Sequence, residues 1–375
     1  MIGNLEHTLL QQLWWLIASV VGSLFLMLTF VQGGQTLIFT TAKSEEERSL
    51  IINSIGRKWE LTFTTLVLFG GALFAAFPLF YATSFGGAYW VWMLILFTFI
   101  GQAVSFEYRK KPDNVLGAKI YEIFMLINGT VGILLIGAAV GTFFTGSSFT
   151  LTKFNSVIWD TPFRGLEAAL NVFNVAFGLF LVFLARVLGA MYIVNHIHHD
   201  QLVARARKAT LINLVFALPF LLTVLGGLLT MDGFAIDPNT GKVFMEKAKY
   251  LHNLLAMPAV PVLLLLGLVS VIYGVVATAF LKSNRGIWFG GLGTVLVGLA
   301  VFCLAGYNNT AFYPSVTSLQ SSLTIYNASS SKYTLTVMSY VAIGVPFVLA
   351  YIAYVWRLMD ARQLTLAELA KEENY

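Results

Sequence analysis

Long hydrophobic runs, broken only briefly by polar residues, set the pattern of this chain. Nine stretches lie at about 13–40, 59–83, 87–106, 119–144, 168–194, 209–231, 252–281, 287–306 and 334–357. Each approaches or exceeds the roughly 20 apolar residues that a helix needs to cross a bilayer. The pattern predicts an all-α, polytopic membrane protein with nine transmembrane helices. Pro78, Pro219, Pro258, Pro261 and Pro346 fall within or beside these runs, where they are expected to kink the helices. The longer connections, at about 145–167, 232–251 and 307–333, carry the Gly, Ser, Asn and Asp that turns require. No connection is long enough for a separate globular domain, and no internal repeat or low-complexity tract stands out.

Composition supports this reading. The 375 residues are 58% hydrophobic and only 11% charged, against about a quarter charged in soluble domains. The surplus apolar surface must therefore face lipid. The N-terminal MIGNLEHTLLQQ has no Lys or Arg. It lacks the basic region of a cleavable signal, so the first run is expected to stay as a helix. The net charge of +5 is small for this length and gives no sign of a nucleic-acid partner. With Cys303 as the lone cysteine, no internal disulfide, thiolate zinc site or C-x-x-C-H haem attachment can form.

Orientation follows from the basic residues. Sixteen of the 23 Lys and Arg fall in the odd-numbered loops and the C-terminal tail, Lys371 among them. Six fall at the N-terminus and in the even loops, and Arg186 lies inside the fifth run. The expected topology places the N-terminus outside and the C-terminus in the cytoplasm. Arg186, about two turns from its helix's inner end, is placed to snorkel.

Polar groups at membrane depth are costly and therefore mark candidate function. The first run contains Gln32-Gly33-Gly34-Gln35. Glutamines three apart share a helix face, and the glycines admit a close neighbour. They can glue helices together or wall a hydrated polar path. Glu60 opens the second run and Glu107 closes the third. By the charge rule, all four share the cytoplasmic side. Glu60 can also be read as a helix-start anion favoured by the dipole, and Glu107 as an ion-pair partner for Arg109 or Lys110. The histidines of NHIHHD (His196, His198 and His199) fit a wetted loop better than a metal site, and His252 reads as a structural helix-end residue. Trp14-Trp15 and Trp90-Val91-Trp92 read as interfacial anchors. No catalytic triad, P-loop or dinucleotide fingerprint occurs, so the chain is not expected to perform chemistry alone.

Several blocks together carry a resemblance. Phe69-Gly70-Gly71-Ala72-Leu73-Phe74-Ala75-Ala76-Phe77-Pro78 resembles the second helix of subunit II of cytochrome bd-type quinol oxidases. Ile51-Ile52-Asn53-Ser54-Ile55 precedes it, as in that family. Ser105-Phe106-Glu107-Tyr108-Arg109 is similar to its [GS]-F-[DE]-[YF]-R. Tyr313-Pro314-Ser315 is followed by Ser322-Leu323-Thr324-Ile325-Tyr326-Asn327-Ala328-Ser329-Ser330, similar to its S-L-T-I-x-N-A-S-S. The likeness runs from about residue 32 to 351. It departs at Gln32-Gly33-Gly34-Gln35, where the family has D-G-x-D. It departs again after Trp59-Glu60, where W-D-G-N-[EQ]-V-W is usual, and at Gln102, where an arginine is common. The chain looks like a divergent branch.

The resemblance implies a single membrane domain over 1–375, with one four-helix bundle at about 13–144, a second at about 168–306 and a peripheral helix at about 334–357. It implies pairing with a subunit I that holds the quinol site and the haems, haem b and haem d. None would be ligated by this chain. The pair would oxidise quinol and reduce oxygen to water in a bacterial inner membrane. Subunit II would support haem assembly and line a proton path, which on these residues engages Glu60, Gln32, Gln35 and Glu107. Membrane lipid, a bound structural quinone and a small accessory subunit are compatible partners. The competing readings are a secondary transporter, with the Gln-Gly-Gly-Gln motif as a broken-helix site, and a purely structural membrane subunit.

Overall fold

The computed structural model describes residues 2–369; Lys371 and the C-terminal Tyr375 lie outside them. Among the described residues, nine helices are long and apolar enough to span a membrane. They are α1 (His7–Thr41), α2 (Glu45–Ala76), α3 (Tyr89–Tyr108), α4 (Ala118–Thr145), α5 (Val172–His196), α6 (Asp200–Thr230), α7 (Ala259–Ala279), α8 (Gly286–Gly306) and α9 (Lys332–Met359). The ends of α1, α3, α5 and α7 meet the starts of α2, α4, α6 and α8 at one membrane boundary. That boundary carries most of the Lys and Arg and is called here the basic end.

The first loop is shorter than the hydropathy suggests, because α2 begins within it. Ser44 caps the helix by accepting a hydrogen bond from the Glu47 amide at 3.2 Å. Glu45, Glu46 and Glu47 occupy the first turn, where the dipole favours anions. A hitch at Arg57–Lys58 separates Glu45–Gly56 from Trp59–Ala76. At the other end, α2 stops at Ala76. Phe77 has left helical geometry, as a residue before proline tends to, and Pro78 starts a separate short turn. Pro346 likewise restarts α9 after a break at Gly344. Pro258 and Pro261 sit at the start of α7, where proline is tolerated. Pro219 lies inside α6, which runs on through it.

Breaking α2 leaves its last carbonyls without intrahelical donors. The distant Asn-Ala-Ser-Ser block supplies them. The Ser330 hydroxyl donates to the Ala75 carbonyl at 2.6 Å, and the Ser330 amide donates to Ala76 at 2.8 Å. The Phe-Pro break and the serine block thus complete each other.

Span α5 is the most enclosed and packs against α1, α4, α6 and α8. Its contact with α1 is a backbone crossing. A Cβ at Gly33 would fall 1.7 Å from the Ala185 carbonyl oxygen, and one at Gly189 would fall 2.4 Å from the Gly34 nitrogen. Small residues permit such approach where lipid supplies no hydrophobic drive between helices.

The opposite end is closed by two antiparallel hairpins, β1 (Phe149–Leu151) with β2 (Val157–Trp159) and β3 (Gly233–Ile236) with β4 (Val243–Glu246). Beneath them lies an aromatic core in which Trp15 meets Phe312 at 4.5 Å and Phe77 at 5.8 Å. This corrects the expectation for Trp14-Trp15. Both are buried, with the indole nitrogens donating to Ser339 Oγ at 2.9 Å and to the Phe302 carbonyl at 3.1 Å. Trp90 is exposed, whereas Trp92 is half-buried and stacked on Phe85 with centroids 3.8 Å apart.

Candidate functional site

At the basic end the sequence-selected residues separate into an inner and an outer group. Gln32 and Gln35 are fully buried. The glycines between them hold α1 against α5, and a Cβ at Gly129 of α4 would fall 2.3 Å from the Gln32 carbonyl oxygen. Two further buried amides meet this face. Gln32 Nε2 donates to Gln102 Oε1 of α3 at 3.4 Å. Asn128 opens a π-turn in α4 and donates through Nδ2 to Thr98 Oγ1 at 3.3 Å. Among the described residues, Gln32 Oε1, both Gln35 side-chain polar atoms, Gln102 Nε2 and Asn128 Oδ1 find no protein hydrogen-bond partner. Buried polar atoms are almost always satisfied, by water where protein does not serve. The four amides therefore leave a set of buried polar atoms of the kind that ordered water satisfies.

Glu60 and Glu107 lie elsewhere. Both are exposed, on the outward faces of α2 and α3. They are neighbours of a stacked ring pair, Trp59 on Phe106, with centroids 5.8 Å apart. The two glutamates thus share a neighbourhood with each other, as their common depth suggested, but not with Gln32 and Gln35. The sequence-level pairing of Glu107 with Arg109 is also replaced. Arg109 is buried and donates from Nε to Glu122 Oε1 at 2.9 Å and from a terminal nitrogen at 2.6 Å. It also pairs closely with Glu45, while Arg48 reaches Glu122 Oε2 at 3.3 Å. Glu122 lies inside an apolar helix, so its depth was itself the signal that could have singled it out.

A second buried cluster gathers around Asp360, just beyond α9. Lys58 donates to Asp360 Oδ1 at 2.9 Å, Trp356 Nε1 to Oδ2 at 2.7 Å, and the Tyr192 hydroxyl lies 3.3 Å from both oxygens. His196 reaches the same carboxylate at 3.4 Å and Ser54 Oγ at 2.8 Å. His196 is therefore turned inward while His198 is exposed, so the three histidines do not converge. The following chain is tied down by backbone bonds from Leu364 to His196 and from His198 to Leu364, at 2.7 and 2.9 Å. Arg186 does not snorkel. It binds Asn213 and Thr36 at 2.6 Å each, joining α5 to α6 and α1.

The Asp360 cluster gives a direct expectation. Asp360→Asn leaves the Lys58 ammonium buried without a counter-charge, which typically costs about 3–5 kcal/mol. The thermal midpoint of the purified protein should fall accordingly. A Lys58→Met, Asp360→Leu double variant should recover most of the loss, since it buries no charge. Equal midpoints for Asp360→Asn and the parent would show that the pair contributes nothing.

Comparison with known proteins bears on the whole chain. The family model for cytochrome bd terminal oxidase subunit II matches residues 10–359. Cytochrome bd-I ubiquinol oxidase subunit 2 of Escherichia coli K12 is 29% identical over 375 residues, covering 96% of each chain. Cytochrome bd ubiquinol oxidase subunit 2 of Bacillus subtilis is 27% identical, covering 91% of this chain and 93% of that one. A chain of the bd oxidase from Geobacillus thermodenitrificans superposes with a TM-score of 0.66 at 13% identity, over 93% of this chain and 98% of that chain. The last likeness speaks to fold alone.

Proposed function

Because the chain belongs to the cytochrome bd terminal oxidase subunit II family, we propose that it pairs with a haem-bearing subunit I to couple quinol oxidation to reduction of oxygen to water. The observation that carries this reading is the chain-long family match. Haem b and haem d are assigned to the partner, along with the quinol site. This chain scaffolds their assembly and serves the proton supply. The two bundles are taken as the groups about 13–144 and 168–306, with α9 peripheral; its low burial supports that place.

Reducing one oxygen to two waters consumes four protons at a site sealed from bulk water. In this reading Glu60 and Glu107 collect protons on the outer faces of α2 and α3, where the partner would cover them. Gln32, Gln35, Gln102 and Asn128 hold water inside. As amides they orient a hydrogen-bonded chain but carry no exchangeable charge. The Arg109–Glu122–Arg48 cluster fixes the mouth of α4 and acts as a structural clamp.

The test is spectral. Co-expressed with its subunit I, the chain should copurify in a complex showing the reduced haem d band. Expressed alone, it should be colourless and poorly stable. Stoichiometric haem on the isolated chain would overturn the assignment of haem to the partner. A transporter would show no haem d band in any preparation.

The charge asymmetry supports a cytoplasmic C-terminus. A reporter that works only in the periplasm, fused after Tyr375, should be silent, and a strong signal would reverse the orientation.

A further inference from the structure

At the basic end, a polar cavity of about 290 Å³ opens between the α5–α6 junction and the α7–α8 loop. Its charged lining comprises Arg207 and Lys282 against a single carboxylate, Asp200, with His198 and His199 beside them. Gln363 closes one side, bonded at 2.9 Å to the Asn195 carbonyl. His199 is engaged within the wall, where its Nδ1 accepts from the Leu202 amide at 3.2 Å. Arg207 crosses from α6 to cap the end of α7. It donates to the Thr278 carbonyl, to Ser283 at 3.2 Å and to Lys282 at 2.8 Å. Its charge is thereby fixed at the rim.

Lys282 stands where the local fold would prefer another residue. It follows α7 with φ of +54°, and the Ser283 amide returns to the Ala277 carbonyl at 2.9 Å. That is a helix-terminating turn whose left-handed position usually takes glycine. The helix dipole offsets part of the strain of a cation there. The immediately preceding Phe280 and Leu281 are exposed, and the pocket's own face of α6 continues from Val203 and Arg207 through half-buried Leu214 to exposed Leu218. A cationic pocket therefore sits at the foot of two lipid-facing apolar surfaces.

We propose that this pocket binds the headgroup of an anionic phospholipid, with the acyl chains lying along α6 and α7. Basic pockets between helices at a membrane boundary recognise acidic headgroups by this combination. A free phosphate would gain from Lys282 and Arg207 but nothing from Phe280, Leu281, Leu214 and Leu218. The inference rests on the membrane-spanning fold and not on the oxidase reading.

The test uses the full-length protein purified with whatever subunits accompany it, stripped of lipid by detergent washing and then given phosphatidylglycerol, phosphatidylcholine or inorganic phosphate. Bound lipid is counted by native mass spectrometry and the unfolding temperature is recorded. Phosphatidylglycerol should bind and raise the unfolding temperature, while phosphatidylcholine and phosphate should not. Lys282→Gly removes the charge yet suits the turn. It should weaken phosphatidylglycerol retention about fivefold, the equivalent of about 1 kcal/mol for one basic residue, without lowering the lipid-free unfolding temperature. Lys282→Gln should weaken retention similarly. The proposal fails if phosphatidylcholine binds as well as phosphatidylglycerol, if phosphate alone reproduces the stabilisation, or if both variants retain phosphatidylglycerol like the parent.

Discussion

Gly33→Ala is expected to abolish accumulation of the folded chain. The added methyl would sit 1.7 Å from the Ala185 carbonyl oxygen and 2.6 Å from the Arg186 nitrogen. Both are backbone atoms of the most enclosed helix, so no rotamer change relieves the clash. α1 and α5 would have to separate, disturbing Gly34 against Gly189 and the Arg186 bonds to Thr36 and Asn213. Overpacking typically costs about 1–3 kcal/mol where side chains can shift, and a backbone-on-backbone clash belongs above that range. Two other glycines calibrate the result. Gly34 faces a side chain, Ile55 Cγ2 at 2.8 Å, so its alanine variant should be intermediate. Gly71 has nothing within 4 Å, and its variant should resemble the parent. Membrane levels measured by immunoblot should rank Gly71→Ala, then Gly34→Ala, then Gly33→Ala. Normal levels of the last would refute the crossing.

Glu60→Gln should slow quinol-driven oxygen consumption about tenfold or more, which corresponds to about 1.4 kcal/mol on the limiting barrier. The amide keeps size and hydrogen bonding but cannot take up and release a proton. The side chain is exposed in this chain, so its loss breaks no contact within it, and a near-normal haem content would show that the interface with the partner is also intact. Glu60→Asp should retain most activity because it keeps the acid. The same measurement on Gln32→Ala tests the buried amides of the proposed path, where lower turnover is expected because a polar group is lost without removing an acid. A fully haem-loaded Glu60→Gln enzyme with unchanged turnover would leave Glu60 as a helix-start anion only.

What could be read from the sequence follows the physics of each signal. Span existence was legible because lipid demands long apolar runs. The close approach at Gln32-Gly33-Gly34-Gln35 is only partly legible: two glycines beside two amides admit a close neighbour, but the pair Gly70-Gly71 shows that adjacent glycines need not meet one, since Gly71 has nothing within 4 Å. Helix rotation was not legible. A helix apolar on all sides gives no amphipathic stripe to show which face turns inward. The sequence therefore brings Glu60 and Glu107 to one depth without showing their outward faces, and it does not show that Trp14 and Trp15 turn inward. Of the two neighbours that the sequence offers Glu107 as partners, Arg109 and Lys110, the first sits only two residues away, and residues two apart on a helix do not face each other. Arg109 instead meets Glu122 and Glu45, which arrive from other spans. The Asp360 cluster is not legible in the sequence, because nothing local shows that the chain after α9 folds back onto His196.

The Ser330 contact also carries a consequence for synthesis. Its hydroxyl serves a carbonyl 255 positions earlier. At ~5–20 residues per second, the ribosome reaches the serine on the order of tens of seconds after α2 has emerged. Throughout that interval the Ala75 and Ala76 carbonyls lack their folded-state donor and must rely on water at the membrane surface. The nascent protein must therefore wait, inserted but unsealed, and a chain released before residue 330 would present that open end to the machinery that removes unfinished membrane proteins.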